Sequence, residues 1–489
     1  MDEERDAPLD VVIIGAGLSG LGCAAILSSE QPHRTFRILE MRDAIGGTWD
    51  LFRYPGIRSD SDLYTFGYDF KPWESDNAIA SGAEILAYLK ETVEEYDLSS
   101  RIDFGRKVFQ SSWSSKTALW TVTTVDTRTG ERVEVQGRWL FSATGYYDYE
   151  KGYRPSFAEE EAFGGPIIHP QHWPEDLDTT GKRVVVIGSG ATAVTLLPEL
   201  AKTASHVVQV QRTPTFVLPL PRVDPLLKLL RPFLSKKRVH SIMRAKNARM
   251  QRLNLAMCQR FPNAMRRLYR RANRKALPKD FDVDVHFNPP YDPWSQRLCA
   301  APDGDFFKCL SDGSASIITG TIQRFTDTGL EMADGTSVDA DIIVTATGLN
   351  LRVAGGVTVT VDGKAMDWSK RVIFRGMMLD DVPNVALAIG YTNSSWTLKI
   401  GLLCRYFMRL LDAMDERRMV VCTPRLPKGG VQTEPILDFG AGYVQRSIHA
   451  LPRQGPHSPW KMTRDYISDR KLVNSGAVIT PEMELRPHP

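Results

Sequence analysis

Two stretches of this chain repeat one design, in which a β-branched run enters a glycine turn and leaves as a helical pattern. They are "DVVIIGAGLSGLGCAAIL" from Asp10 and "RVVVIGSGATAV" from Arg183. Few folds accommodate that design twice. In each copy the first glycine permits a tight turn and the second lets the backbone approach a pyrophosphate. A third small residue lets helix and strand pack closely. These positions are Gly15, Gly17 and Gly20 in the first copy and Gly188, Gly190 and Ala193 in the second. The N-terminus of the following helix offers N–H donors and partial positive charge to phosphate. Ser19 in the first turn, and Ser189, Ala191 and Thr192 in the second, are therefore expected beside a nucleotide. The fold class this predicts is α/β, with two Rossmann-like dinucleotide-binding domains.

The copies differ where the next strand ends. "TFRILE" ends in Glu40, where a carboxylate can accept ribose hydroxyls. "SHVVQVQRTPTF" instead presents Arg212 and Thr213 at that point. A guanidinium binds a 2′-phosphate that an acid would repel, so the second nucleotide reads as NADP. After Glu40 comes "MRDAIGGTWDLFRYPGIRSDSDLY". An early GxGxxG followed by GG is similar to two-dinucleotide flavoproteins, which points to FAD in the first site and adds Gly47, Thr48 and Trp49 to it. "RYPGIRSDSD" concentrates charge beside a Pro-Gly turn, and Arg58, Ser59 and Asp60 are expected near the isoalloxazine. Val108 is one further expected FAD contact. Two such modules imply hydride transfer from NADPH to FAD.

The segments "FSATGYYDY" (141–149) and "ADIIVTATGLNL" (340–351) each read as a strand running into a glycine turn. They divide the chain into a first part of the FAD domain at 1–148, an NADP domain at 149–350 and a second FAD part at 351–489. Between about 219 and 293 the pattern is helical, which predicts a helical insertion in the NADP domain. The last part contains strand-like "VPNVALAIGYT" and helix-like "KIGLLCRYFMRLLDAM", and the loop 391–397, "YTNSSWT", is expected to line the substrate pocket.

The net charge of +3 conceals an asymmetry. From Arg222 to Lys279 there are 18 Lys and Arg against one acid, Asp224, so the rest of the chain carries about −14. Three readings of that stretch stand: a solvated helical face, steering of anionic NADPH, or peripheral attachment to anionic lipid, since "LLKLLRPFLSKKRVHSIMRAKNARM" mixes Leu, Phe and Met with cations. Nothing else supports nucleic-acid binding. The acidic N-terminus has no apolar segment of the kind that directs secretion, and the six cysteines show no CxxC pattern. Both point to a reducing, cytoplasmic setting.

Between the two turns lies "FGGPIIHPQHWP", in which Phe163, Gly165, His169, Trp173 and Pro174 fit F-x-G-x-x-x-H-x-x-x-W-P. That segment resembles the fingerprint of type I Baeyer–Villiger monooxygenases, and "GGTWDLFRYPGIRSDSD" and "QRTP" are similar to the family's flavin and NADP segments. The related flavin-containing N- and S-monooxygenases carry a shorter, aromatic version without the Trp-Pro ending. The resemblance implies an NADPH- and O2-dependent enzyme that inserts oxygen next to a ketone through a peroxyflavin kept anionic. It also implies an Arg after the helical insertion to hold that charge; "PYDPWSQRLCAAP" offers Arg297, with Asp60 as the partner that orients it. Many family members have Lys before this Arg. Here the residue is Gln296, which leaves more of the NADP phosphate to Arg212. The fingerprint itself reads as a linker that His169 and Trp173 lock against both domains. Oxygenation of thioethers, thioamides or amines is the alternative on the same scaffold. A disulfide reductase shares the plan but needs a cysteine pair at the flavin, and Cys299 and Cys309 are too far apart for CxxC. A non-catalytic NADP-binding sensor is the remaining alternative.

Overall fold

A computed structural model describes residues 7–437 and 440–489. The first six residues, which make up most of the acidic N-terminus, lie outside the described residues. Leu9–Ile14 is an inner strand of a mixed nine-stranded sheet and pairs in parallel with Phe36–Leu39 on one side and the long strand Arg132–Ser142 on the other. Val11, Val12 and Ile13 are fully buried. Val11 and Ile13 pack with helix residues such as Leu21 and Phe407, and Val12 and Ile14 pack with Trp120 and Leu140 on the other face, so the run from Val11 to Ile14 is apolar throughout rather than alternating. Leu119–Asp126 does alternate buried and half-buried positions, and it joins the antiparallel pairs beside it. The free end of Arg132–Ser142 accepts Val385–Leu387 in parallel, from far along the chain.

The helix behind the first glycine turn, Leu18–Glu30, is buried over most of its length. It packs on Trp396–Glu416, whose Phe407 ring lies 5.2 Å from Trp139 and 5.5 Å from Phe141. The second sheet is wholly parallel, in the order Ala315–Thr319, His206–Gln211, Arg183–Ile187, Ile342–Thr345, Ile167–Ile168.

The chain passes between the two sheets twice, after Ser142 and after Thr345, and the passages bond to each other. Asp148 N–H donates to Asn350 O at 2.9 Å, Tyr153 to Gly348 at 3.0 Å, and Arg352 to Tyr146 at 2.9 Å. Each glycine turn rests on one passage. Gly15 and Gly188 have φ of 101° and 141°, which L side chains avoid. A Cβ there would meet Ala143 O at 2.8 Å and Ala346 O at 2.3 Å respectively.

Val217–Leu220 pairs in parallel with Cys299–Pro302, and the chain between them forms Pro225–Leu230, Lys236–Arg260, Pro262–Ala276 and Val283–His286. The 25-residue helix Lys236–Arg260 lies on the first module. There the buried Arg244 guanidinium donates to the carbonyls of Tyr64, Thr65 and Gly67, while Asn247 and Gln251 donate to Asp62.

His240, on the same helix, is 3 % exposed. Its Nδ1 accepts from Trp73 N–H at 3.2 Å and its buried Nε2 has no partner among the described residues. Burial first, then the Arg244 charge, pull its pKa from 6.5 to about 4. Because the folded value lies below the unfolded one, the unfolded chain binds the extra proton in that window, and stability falls as pH drops from 6.5 toward 4. The expected loss is roughly 2 kcal/mol by pH 5. Thermal unfolding of wild type and His240→Gln across this range checks it; equal slopes for the two would refute the assignment.

Candidate active site

A cleft of about 1030 Å³ lies between the two modules, walled by both glycine turns and both chain passages. The donors that would hold two nucleotides face it. Gly17 and Gly190 cap their helices without any side-chain hydrogen bond, and neither helix has an acid in its first turn. A Cβ at Gly190 would meet nothing within 4 Å, and at Gly17 its nearest neighbour would be Gly47 Cα at 3.7 Å. Free helix N–H groups that the chain can bring close to a phosphate fit a pyrophosphate at both ends.

Ser19, Thr48, Trp49, Ser59, Ser189, Ala191 and Thr192 line the cleft, whereas Gly15, Gly20, Gly47 and Ala193 stand behind its wall. A Cβ on Gly20 would lie 1.9 Å from Gly15 O, so this glycine fixes the close helix–strand contact. Glu40 also lies behind the wall, where its carboxylate accepts Ala16 N–H at 2.7 Å and Arg42 N–H at 2.9 Å. Burial pushes its pKa up, and those donors oppose the rise. Val108 is buried inside the first module in the cluster that includes Val12, Ile14 and Leu39, and it does not line the cleft. Arg58 lines the cleft, but its guanidinium is paired with Asp305, which starts helix Asp305–Ser311 on the second module. At the second glycine turn, Ser189 Oγ donates to Thr213 O at 2.8 Å. Arg212 is exposed there and forms no ion pair among the described residues.

Arg297 and Asp60 meet across 237 positions of sequence. Nε donates to Oδ2 at 2.7 Å and Nη2 to Oδ1 at 2.9 Å, a two-point clamp, while Nη1 donates to Thr392 O at 3.2 Å. Their side chains are 34 % and 31 % exposed, and both line the cleft, which is where that exposure faces. The Asp60 charge holds the guanidinium pKa well above its ordinary value. Burial raises the Asp60 carboxyl, but the Arg297 charge and hydrogen bonds more than offset this and hold it below the usual carboxylate range. Gln296 also lines the cleft.

The fingerprint segment meets the paired passages. His169 Nδ1 accepts Gln171 N–H at 3.2 Å, which leaves the proton on Nε2 to donate to Gly348 O at 3.1 Å. Burial lowers this imidazole's pKa, in keeping with a neutral ring. A Cβ at Gly152 would lie 2.1 Å from the His169 ring, so one side chain touches both passages. Gly165 admits no Cβ either, since Asp341 O would lie at 2.4 Å and the Phe163 ring at 2.7 Å. Phe163 is buried, whereas Trp173 is half-buried against the second module's core and Pro174 is half-buried beside it.

Tyr391, Ser394 and Trp396 of the expected pocket loop 391–397 line the cleft, whereas Tyr146, Tyr147, Tyr443 and Arg446 line it without having been singled out in the sequence. The Tyr146 ring lies tilted against Trp396, with centroids 5.1 Å apart, and Trp396 Nε1 donates to Ser19 Oγ at 2.9 Å; the Tyr146 hydroxyl lies 3.2 Å from that of Tyr147. Burial pushes the Tyr146, Tyr147 and Tyr443 phenols up. Tyr443 and Arg446 come from the helix Gly442–Ser447, and Arg446 covers the Tyr153 ring at 3.3 Å. Tyr391 donates to the buried Asp469, which also pairs with Lys399 at 2.6 Å.

The sequence profile described as FMO-like, flavin-binding monooxygenase-like, matches residues 9–224. The chain is 45% identical over 471 residues to the FAD-containing monooxygenase EthA of Mycobacterium tuberculosis, covering 96% of each. It is 44% identical over 473 residues to the probable FAD-binding monooxygenase AlmA of Acinetobacter baylyi, covering 96% of this chain and 94% of that one. The crystal structure of OTEMO in complex with FAD and NADP superposes with a TM-score of 0.74 at 21% identity, over 98% of this chain and 100% of the other.

Proposed function

We propose Baeyer–Villiger oxidation of ketones to esters or lactones for this chain, which belongs to the FAD-containing monooxygenase family and uses FAD and NADPH. The observation that carries the proposal is the clamp of Arg297 by Asp60 and Thr392 at the cleft wall. Bound FAD, once reduced, supplies the electrons that activate O2. Attack on a ketone carbonyl requires that oxygen to act as a nucleophile, which means keeping negative charge in a site shielded from water. Arg297 supplies a fixed cation there. Asp60 keeps it protonated and aimed, so little reorganisation is needed when the charge develops. The phenols of Tyr146 and Tyr147 line the same cleft and stay protonated at working pH, ready to hydrogen-bond a substrate oxygen. They also favour a second reading: a proton donor beside the oxygen makes it electrophilic, as oxygenation of thioethers, thioamides or amines requires. The three-part division at 148 and 350 belongs to the same proposal, with His169 holding the linker between modules.

Product analysis with NADPH, O2 and a panel of aliphatic and aromatic ketones and thioethers decides between the readings. Ester or lactone from at least one ketone, coupled to NADPH consumption, is expected. Sulfoxides without any ester would leave only the second reading.

Arg212 and Thr213 make NADPH the expected reductant over NADH. Arg212→Ala should weaken NADPH use by about 1.5–3 kcal/mol, the range of a hydrogen bond to a charged group, and leave NADH use nearly unchanged. Equal losses in kcat/KM for both cofactors would overturn that placement.

A further inference from the structure

The helical insertion carries a surface that this reaction does not use. Nine of the eleven large apolar side chains exposed among the described residues lie between Leu220 and Leu268. On helix Lys236–Arg260, Met250, Leu253 and Met257 recur at helical spacing, 57, 62 and 38 % exposed, and Phe261 follows at the helix end. Phe233, in the turn before this helix, is 81 % exposed. Arg249 stands next to Met250, Lys237 and Arg238 lie at the start of the same helix, and Arg267, Arg271 and Lys275 lie on the next one, Pro262–Ala276; all six are exposed and form no ion pair among the described residues.

We propose that the exposed surface of this insertion docks the enzyme on an anionic lipid bilayer. A merely solvated face needs the cations but not the exposed Leu, Phe and Met. Steering of NADPH has the same shortcoming, because apolar side chains contribute nothing to a long-range field. A two-fold pair of chains joined through this surface fits poorly, since it would set one strongly basic insertion against another. An anionic bilayer uses both kinds of residue: cations settle among the headgroups, and apolar side chains reach the acyl boundary between them. The charge asymmetry acts in the same direction. With +17 on the insertion and about −14 elsewhere, a negative surface attracts this end of the molecule and repels the rest. No helix among the described residues is long and apolar enough to cross a membrane, so the contact is peripheral. The docked face also lies one helix away from the cleft. Gln251, beside Met250, donates to Asp62 and accepts from Ser394 Oγ at 2.5 Å, and Ser394 lines the cleft.

Co-sedimentation of the full-length, flavin-loaded protein with vesicles tests the proposal, using phosphatidylcholine alone and phosphatidylcholine with one-third phosphatidylglycerol. Binding is expected only to the anionic vesicles, and it should weaken as salt rises. Lys237→Gln with Arg238→Gln should lower the affinity by about twenty-five-fold, from roughly five-fold per cation near the surface. Leu253→Ser with Met257→Ser should lower it several-fold, while flavin reduction by NADPH in solution stays at the wild-type rate. Phe233→Ser, on a separate segment, gives the same readout if the helix variant fails to retain flavin. Equal binding to neutral vesicles, or none to either, would overturn the proposal. So would apolar variants that bind as well as wild type, or a dimer in sedimentation that these variants dissociate.

Discussion

Arg297→Ala loses ester formation by about two orders of magnitude or more, the usual effect of deleting one preorganised charge-stabilising group, while reduction of FAD by NADPH proceeds almost unchanged. The two steps separate because hydride transfer creates no charge at Arg297, whereas oxygen activation does. NADPH consumption in the variant should continue and end in hydrogen peroxide. Arg297→Lys keeps the charge but cannot make the two-point contact with both Asp60 oxygens, so it should recover only part of the yield. Asp60→Ala should be milder than Arg297→Ala, because it removes the group that aims the cation and leaves the cation in place. The Asp60 pKa is depressed in the folded chain, so the stability it contributes is present above the unfolded value and lost only as pH falls through the lower, folded one. Coupling should therefore be insensitive to this carboxyl near neutral pH. Stopped-flow reduction and ester per NADPH, measured on one Arg297→Ala preparation, decide the matter. A variant that still makes ester at the wild-type yield would place the stabilising charge elsewhere.

The parts of the site legible in the sequence are those whose requirements are local. Gly15 and Gly188 could be read because a turn with positive φ, pressed against a neighbouring carbonyl, admits almost nothing else. The strand-end rule singles out Glu40 and Arg212 alike, yet only Arg212 reaches the cleft wall, whereas Glu40 is buried behind it with its carboxylate on the Ala16 and Arg42 N–H groups. Arg297 and its pairing with Asp60 are reached only through resemblance, since no local pattern joins residues that far apart. The hairpins of Arg106–Ser142 went unremarked although Leu119–Asp126 alternates and a Thr-Gly turn follows it. Tyr443 and Arg446 left no signal at all. Their place in the site depends on how the C-terminal segment folds back across two modules, which is a tertiary fact. The basic stretch shows the same limit from another side. Composition left three readings of it, and only exposure separates them: Val239 and Met243 on its long helix are buried, whereas Met250, Leu253 and Met257 on the same helix are not.

Asp469→Ala is expected to be the most destabilising of the single changes, by about 3–5 kcal/mol, because it strands a buried ammonium. Asp469 and Lys399 are 4 % and 3 % exposed, with Nζ 2.6 Å from Oδ2. Burial already lowers the Lys399 pKa, and the Asp469 charge and hydrogen bond are what oppose it. The same carboxylate accepts the Tyr391 hydroxyl at 2.5 Å and the Thr463 hydroxyl on its other oxygen. Tyr391 immediately precedes Thr392, whose carbonyl receives Arg297 Nη1. The pair therefore anchors the segment that completes the Arg297 clamp, and its two effects can be separated. Replacing both partners with apolar residues, Asp469→Leu with Lys399→Met, removes the stranded charge and should recover most of the stability, since a buried ion pair is often matched by a well-packed apolar one. It does not restore an acceptor for Tyr391. Unfolding of the double variant should then lie near wild type while ester per NADPH stays low and hydrogen peroxide high. A double variant that regains stability and coupling together would show that the pair only holds the fold and does not position Arg297.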